Sequence, residues 1–353
     1  MAILKKEVLF LSIFSLLFFQ CVEELEIVDE DIDTLIEDIL VVEATITNEL
    51  KRQVVYLSYG KGFSKDTISP VQNATVRILN DSGEIFSFVQ SRPGKYLSES
   101  PFQALQGIEY QLEIENEGKI YQSENTVLST SGNINRVFAE KFTNDEGVDG
   151  IGIFVDALLS EEQGPFLRYT YEETYKIIAP LWTQFDMVVL DPNFPYDFGL
   201  IPRAMEKRVC YATNASNDII QNQGIDLTGD TLDNIMVRFI PRDNPIISHR
   251  YSILVNQLVQ SNEAFAFYQA LKKNSTSNSI FTDVQAGFIE GNIRNARDRE
   301  EMVLGYFEVA NQSNSRIFLN YEDFYPEEPL PPYFINCDFV TAPQPLYRAR
   351  DRL

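Results

Sequence analysis

The sequence predicts a mainly β protein, with a small N-terminal β-sandwich followed by a larger β-rich domain that carries one principal helix. Three observations predict it. Tyr and Phe are abundant, 17 and 25 of 353 residues, while Trp and Met number 1 and 5; such rings pack well on a pleated face. Short β-branched or alternating runs recur between Gly, Pro, Asn and Asp turns. One segment, near 262–273, carries the start and stop signals of a helix.

The chain opens on a targeting segment. Lys5 and Lys6 precede Val8–Phe19, an apolar run broken only by Ser12 and Ser15. A short basic region before a run of that length reads as a secretory signal peptide over residues 1–20. A membrane-spanning helix needs ~20 apolar residues. Cys21 ends the run, which in a bacterial chain points to lipoprotein processing: cleavage before the cysteine and acylation of its thiol. Several acyl chains (palmitate among them) on one residue give stable anchoring. Phe18-Phe19-Gln20 departs from the small-residue pattern of such sites, and an ordinary signal peptide or a signal anchor accounts for the same run. Residues 21–50 hold eleven carboxylates and no Lys, Arg or His. Like charges at that density repel, so residues 21–38 read as an extended acidic tether.

The small sandwich spans residues 39–130. Ile39–Ile46 and Gln53–Tyr59 are strands. Ala74–Leu79 and Glu84–Val89 flank a turn at Asn80-Asp81-Ser82-Gly83 and form a hairpin. Pro93-Gly94 turns the chain into Lys95–Leu97. Tyr110–Glu115 and Lys119–Ser123 pair around Asn116-Glu117-Gly118. Seven short strands with regular turns suit an Ig-like sandwich, and PVQNATVRILNDSGEIFSF…PGKY resembles the transthyretin-like type.

Residues 131–353 form the larger domain, after an expected linker at Ser129–Asn135. Val137–Phe142, Gly152–Leu158, Phe166–Ile178, Ile235–Phe239 and Tyr251–Leu258 read as strands. In Phe166–Ile178 the alternation sets Arg168, Thr170, Glu172 and Thr174 on one face, so Glu172 and Glu173 point apart. Ser261 caps a helix over Ala264–Lys273, with Phe267 and Leu271 on one face and Asn274 as its stop. Val303–Val309 and Arg316–Leu319 are late strands.

Composition and motifs exclude several functions. A formal net charge of −23 opposes nucleic-acid binding, which needs Lys and Arg against phosphate. His249 is the single histidine, so it reads as structural. There is no H-E-x-x-H, nucleophile elbow, P-loop or Rossmann glycine pattern. The expectation is a protein that is not an enzyme and has no cofactor and no metal. Asn144–Asp149 and Asp226–Asp230 are acidic enough for calcium but lack EF-hand spacing, and ordinary turns account for them. Cys210 and Cys337 remain once Cys21 is acylated. In an exported chain they form a disulfide or stay as two buried thiols, and the compartment favours the disulfide. Two stretches mix aromatics, prolines and acids, Asp191–Phe198 and Tyr321–Phe334. They read as loops. Their rings, Phe194, Tyr196, Phe198, Tyr321, Phe324, Tyr325 and Tyr333, either contact a partner or glycan or fold back on the sandwich.

The segments LVVEATITN, LRYTYEETYKI, RYSILVNQLVQSNEAFAFYQALKK, SIFTDVQAGFIEGNI and VLGYFEVANQSNSRIF together resemble a family of Bacteroidota outer-membrane lipoproteins known as a domain of unknown function numbered 4249. Gly291-Asn292-Ile293 and Leu304–Phe307 are the most specific pieces. Asp283-Val284 departs from the Asp-Pro common in the Phe loop. In lipoproteins of that group, acids directly after the cysteine resemble a signal for display on the cell surface, which Glu23, Glu24 and Glu26 match. The family's genes commonly lie beside SusC-like TonB-dependent transporters. The resemblance therefore implies an accessory or binding subunit of an outer-membrane β-barrel protein, attached to the membrane by its lipid. It carries over no catalytic residue. A stand-alone glycan- or surface-binding adhesin is the alternative reading.

Overall fold

The computed structural model describes residues 39–60, 68–129, 132–159, 166–179, 182–193, 197–223, 231–276 and 289–332. The expected signal peptide, Cys21, the acidic tether with Glu23, Glu24 and Glu26, and Cys337 lie outside them. The protein is mainly β. Its first strands are β1 (Leu40–Thr47), β2 (Val54–Tyr59), β3 (Ser69–Pro70), β4 (Thr75–Asn80), β5 (Ile85–Arg92), β6 (Lys95–Ser98), β7 (Glu109–Asn116), β8 (Lys119–Ser123) and β9 (Thr126–Val127). There follow β10 (Gly132–Thr143), β11 (Asp149–Leu159), β12 (Phe166–Ile178), β13 (Phe185–Asp191), β14 (Asp197–Pro202), β15 (Val209–Ala215), β16 (Ile220–Gln223), β17 (Thr231–Pro241) and β18 (Tyr251–Gln260). Helix α1 (Asn262–Thr276), β19 (Ile293–Asn295) and β20 (Val303–Leu319) complete the described chain.

One sheet runs in the order β15-β12-β18-β20-β1-β2-β6-β5-β4-β7-β8-β19, with β16 beside β12, β3 beside β2 and β9 beside β7. A second sheet is β10-β11-β17, and β13 pairs with β14 as a separate hairpin. The turns expected at 81–82, 93–94 and 117–118 are turns, and the hairpins they close have the expected antiparallel registers.

The long sheet is held together by β20. Its first half pairs parallel with β1, from Leu40↔Val303 to Thr47↔Ala310. Its second half pairs antiparallel with β18, from Val259↔Asn311 to Tyr251↔Leu319. The sequence suggests two strands here, broken by the polar run Asn311–Ser315. Instead β20 is continuous over 17 residues, because the ladder to β18 satisfies the backbone of the polar stretch. The expected linker at Ser129–Asn135 is likewise partly strand. The Ser129 hydroxyl donates to the Val259 carbonyl and accepts from the Asn311 amide, and Ser313 Oγ accepts from the Ile134 amide.

Two cores flank this arrangement. In the first, alternate residues of β1 (Leu40, Val42, Ala44, Ile46) meet Val76, Ile78, Leu112 and Ile114. Ile293, Val303, Phe307 and Val309 join them from far along the chain. The second core lies between β10-β11-β17 and the β12-β18-β20 part of the long sheet, with Ile151, Val155, Tyr169, Val237, Ile253 and Val255 at its centre. Burial of apolar area on this scale is the main favourable term in folding.

The first unit closes on itself at one point. β19 pairs with β8, and the residue before it, Asn292, bonds β20: Phe307 N donates to Asn292 Oδ1 at 2.8 Å and Asn292 Nδ2 donates to Phe307 O at 2.9 Å. The backbones there nearly touch. A Cβ on Gly291 would stand 1.7 Å from the Gly305 carbonyl oxygen. A Cβ on Gly305, which has φ +120°, would stand 1.9 Å from the Val42 carbonyl oxygen. Glu301 reinforces the same corner, accepting from Lys119 Nζ (3.1 Å), Tyr121 OH (2.8 Å) and Asn295 Nδ2 (2.6 Å).

Replacing Gly305 by Ala is expected to cost at least about 3 kcal/mol or prevent folding, since neither the left-handed φ nor the adjacent backbone can yield. Urea denaturation of G305A beside the wild type checks this. Glu301 gives a pH dependence. Burial acts to raise its pKa, but the hydrogen bonds from Tyr121, Asn295 and Lys119 outweigh that and hold it below the ordinary carboxylate range. A lowered folded pKa stabilises above the unfolded value, and that contribution fades as pH falls through the folded one. The stability difference between wild type and Glu301→Gln should therefore be constant from pH 7 to 6 and shrink toward pH 3 in denaturation curves.

Candidate functional site

Along the first half of β20, Val303, Phe307 and Val309 face the first core, so Tyr306 and Glu308 face the opposite side of the sheet. Helix α1 covers that side. Ser261 Oγ accepts from the Ala264 amide at 3.1 Å, which is the expected cap, and Phe265 and Phe267 pack on Phe166 and Tyr306 with ring centroids 4.9 and 5.2 Å apart. The helix runs two residues past Asn274.

Glu308 lies beneath the helix with 1% of its side chain exposed. A buried carboxylate needs partners, and three strands supply them. Arg168 Nη2 of β12 donates at 2.6 Å, Gln260 Nε2 of β18 at 2.7 Å, and Thr45 Oγ1 of β1 at 3.4 Å. The Arg168 guanidinium lies 4.2 Å from the Tyr268 ring of α1. Burial works against its charge, yet Glu308 beside it more than offsets this and its pKa is raised. Gln221 continues the chain of contacts, donating to Gln260 Oε1 and to the Phe265 carbonyl.

Beside this network is an open groove of about 600 Å³, lined among others by Glu124, Glu263, Phe267, Glu290, Arg294 and Tyr306. Burial pushes the Tyr306 hydroxyl up to about 12, against the effect of its hydrogen bond with Ser261. Arg294 pairs with Glu290 at 2.6 Å. The groove thus offers carboxylates and a phenol without a partnered nucleophile and base.

A second buried carboxylate sits in the other core. Glu173 accepts from Arg238 Nε and Nη2 at 3.1 and 3.3 Å and from Tyr251 OH at 2.8 Å. Glu172 is exposed on the other face of β12, so the two glutamates do point apart. Burial and its neighbour Lys176 lower the pKa of His249, favouring the neutral imidazole. Among the described residues, no group of three His, Cys, Asp or Glu side chains gathers as a metal site. No described helix is long and apolar enough to cross a membrane. Asn144–Asp149 is the β10–β11 turn, and Asn144 Oδ1 is occupied by the amides of Glu146 and Val148.

The aromatic stretches divide. Of the two readings of Tyr321, Phe324 and Tyr325, the second holds: their rings fold back and pack against the second core. Tyr321 and Tyr325 are buried with their rings tilted against each other, centroids 5.0 Å apart, while Tyr325 OH donates to the Gly150 carbonyl at 3.0 Å. Burying two tyrosines removes more apolar area from water than exposing them on a loop. Tyr333, Phe194 and Tyr196 lie outside the described residues, as does Asp226–Asp230. Phe198 is half-buried in β14, and of the expected loop 191–198 Asp191 ends β13 while Asp197 and Phe198 begin β14.

That hairpin is what the sequence reading missed. Phe185, Met187 and Val189 of β13 stand opposite Pro202, Leu200 and Phe198 of β14, so one face is apolar throughout. Met187 and Val189 are 60% and 57% exposed. The signal was present in the runs MVVL and GLIP, which are short and lie on either side of the proline-containing stretch Asp191–Phe198.

Removing Arg168 would leave Glu308 buried with its charge poorly compensated, so Arg168→Met should destabilise by about 3 kcal/mol. The double variant Arg168→Met/Glu308→Leu should regain most of that loss. A double-mutant cycle by urea denaturation reads both.

A comparison with curated proteins finds no match to this chain. The contact that closes the first unit is made by Gly291 and Asn292 against Gly305 and Phe307, within the two segments on which the family resemblance chiefly rests. A family model covering residues 25–316 matches the chain, and by that match it belongs to the family described as Domain of unknown function (DUF4249).

Proposed function

We propose that this protein is a surface-exposed outer-membrane lipoprotein. It acts as a non-catalytic accessory or binding subunit of a SusC-like TonB-dependent transporter or a related outer-membrane β-barrel complex. Cys21 after a short apolar run, with Glu23, Glu24 and Glu26 behind it, supports the address, and the family resemblance supports the setting.

The observation that carries the binding role is the β13–β14 hairpin. A two-stranded hairpin with both faces open is marginal in water. An apolar cross-strand face left uncovered marks a surface that meets another macromolecule. The hairpin base is fixed: Arg203 pairs with Asp186 at 2.9 Å and its backbone amide donates to the Gln184 carbonyl.

Gentle detergent extraction of the native membrane, followed by affinity purification of this chain, should recover a large β-barrel protein. Met187→Asp with Leu200→Asp should cut that recovery at least tenfold while leaving the melting temperature nearly unchanged. Isolation of the wild type as a clean monomer would overturn the proposal.

A further inference from the structure

We propose that the outer face of the long sheet, at its β15-β12-β18-β20 end, binds an anionic polysaccharide bearing carboxylates. The site shares no residue with the β13–β14 arm and does not rest on the transporter reading.

The strand registers fix which residues share this face. Tyr251, Ile253 and Val255 of β18 and Ile317 and Leu319 of β20 pack in the second core, so Arg250, Arg316 and Phe318 point the other way. Tyr175 stands opposite Tyr251 and packs against the same core, which turns Lys176 outward. Tyr211 stands opposite Lys176 and shares its face; the neighbouring Cys210, an exposed thiol, stands opposite Ile177 on the other side. The Lys176 amide donates to the Arg250 carbonyl, and the Arg250 guanidinium lies 5.0 Å from the centre of the Phe318 ring. Tyr211, Lys176, Arg250 and Phe318 therefore follow one another on successive strands, a ring at each end and two cations between. Three strand spacings, roughly 14 Å, separate the outer two strands. Tyr211 and Phe318 are 68% and 57% exposed. A single exposed ring is ordinary on a protein surface; here two stand at the ends of a line of cations.

The charge of this face is opposite to that of the chain. Its strands carry Lys176, Arg250 and Arg316 here against one carboxylate, Glu172, in a chain of net charge −23. Among the described residues Arg250 makes no ion pair. Arg316 is held by the Ser252 hydroxyl at 3.0 Å and reaches Glu172 only at 3.6 Å, with both side chains partly exposed. Such a pair contributes little, so the guanidinium is open to a better-placed anion.

These groups select the ligand. A pyranose ring presents a face of C–H groups that packs on an exposed aromatic ring, and a uronate carboxylate accepts the two parallel N–H bonds of an arginine fork. A chain of such sugars laid across the strands meets both. A protein partner would require a contiguous apolar centre, whereas these two rings are separated by charge. Nucleic acid and an anionic bilayer bring dense phosphates, which the remaining acidic surface opposes. A sparsely charged polysaccharide satisfies the cations without that repulsion.

The test titrates the full chain with hyaluronate, in which every second ring carries a carboxylate, and with alginate, in which every ring does, beside neutral dextran, all by isothermal calorimetry. At least one of the two anionic chains should bind, more weakly as salt rises, and dextran should not. Tyr211→Ala and Phe318→Ala should each weaken binding at least about fivefold, Phe318→Tyr should restore it, and Arg250→Gln should weaken it about tenfold. All of these side chains are exposed, so the melting temperatures should stay near that of the wild type. Failure of both anionic chains to bind overturns the proposal, as does affinity that the variants leave unchanged. Tighter binding to a single-stranded oligonucleotide or to phosphatidylglycerol vesicles, lost in the same variants, also overturns it.

Discussion

Everything in the long sheet depends on β20 passing within backbone contact of its neighbours at Gly305. At that point three main chains, those of Val42, Gly305 and Gly291, lie closer than a Cβ allows. Only because both glycines lack a side chain can β20 pair with β1 while Asn292 ties β19 back to Phe307. That closure supplies Ile293, Val303, Phe307 and Val309 to the first core, whose other members all precede residue 130. The second half of the same strand then forms the ladder with β18 and places Leu319 in the second core. A single strand thus couples two apolar cores, so they should lose structure together.

The outer face of this shared region is polar where a helix covers it, an unusual choice since burying charge is costly. The pairing of Glu308 with Arg168, Gln260 and Thr45 draws on β20, β12, β18 and β1, and Tyr268 adds α1. An apolar patch would tolerate several placements of the helix, whereas a directional carboxylate network tolerates one. The same logic applies to Glu173 in the second core, which fixes β12 against β17 and β18 through Arg238 and Tyr251. Neither network resembles a catalytic site, because each carboxylate is saturated by donors and faces no open space. The β13–β14 arm, by contrast, leaves Met187, Val189 and Leu200 exposed.

Much of the fold could be read from residues alone. The strands of the first unit and their turns follow local rules: alternation along β4 and β7, and Asn, Asp, Gly and Pro between strands. So does the helix with its Ser261 cap. These features need only neighbours within a few residues, and the sequence determines them. The motif pieces Gly291-Asn292-Ile293 and Leu304–Phe307 could be noticed, but not why they matter, since their meaning is a contact between them and with Val42.

What the tertiary structure decided is everything that pairs residues far apart in the chain. It made β20 one strand through a polar run, because β18 satisfies its backbone. It buried Tyr321 and Tyr325, because the second core had room for their rings and the Gly150 carbonyl accepted the Tyr325 hydroxyl. It matched Arg168 with Glu308 across 140 residues. It also left the β13–β14 face bare, since exposure depends on what packs nearby and not on the strand's own residues. Local propensity fixes what a segment can become; the partners that complete its hydrogen bonds and cover its surface come from elsewhere in the chain, and only the folded molecule brings them there.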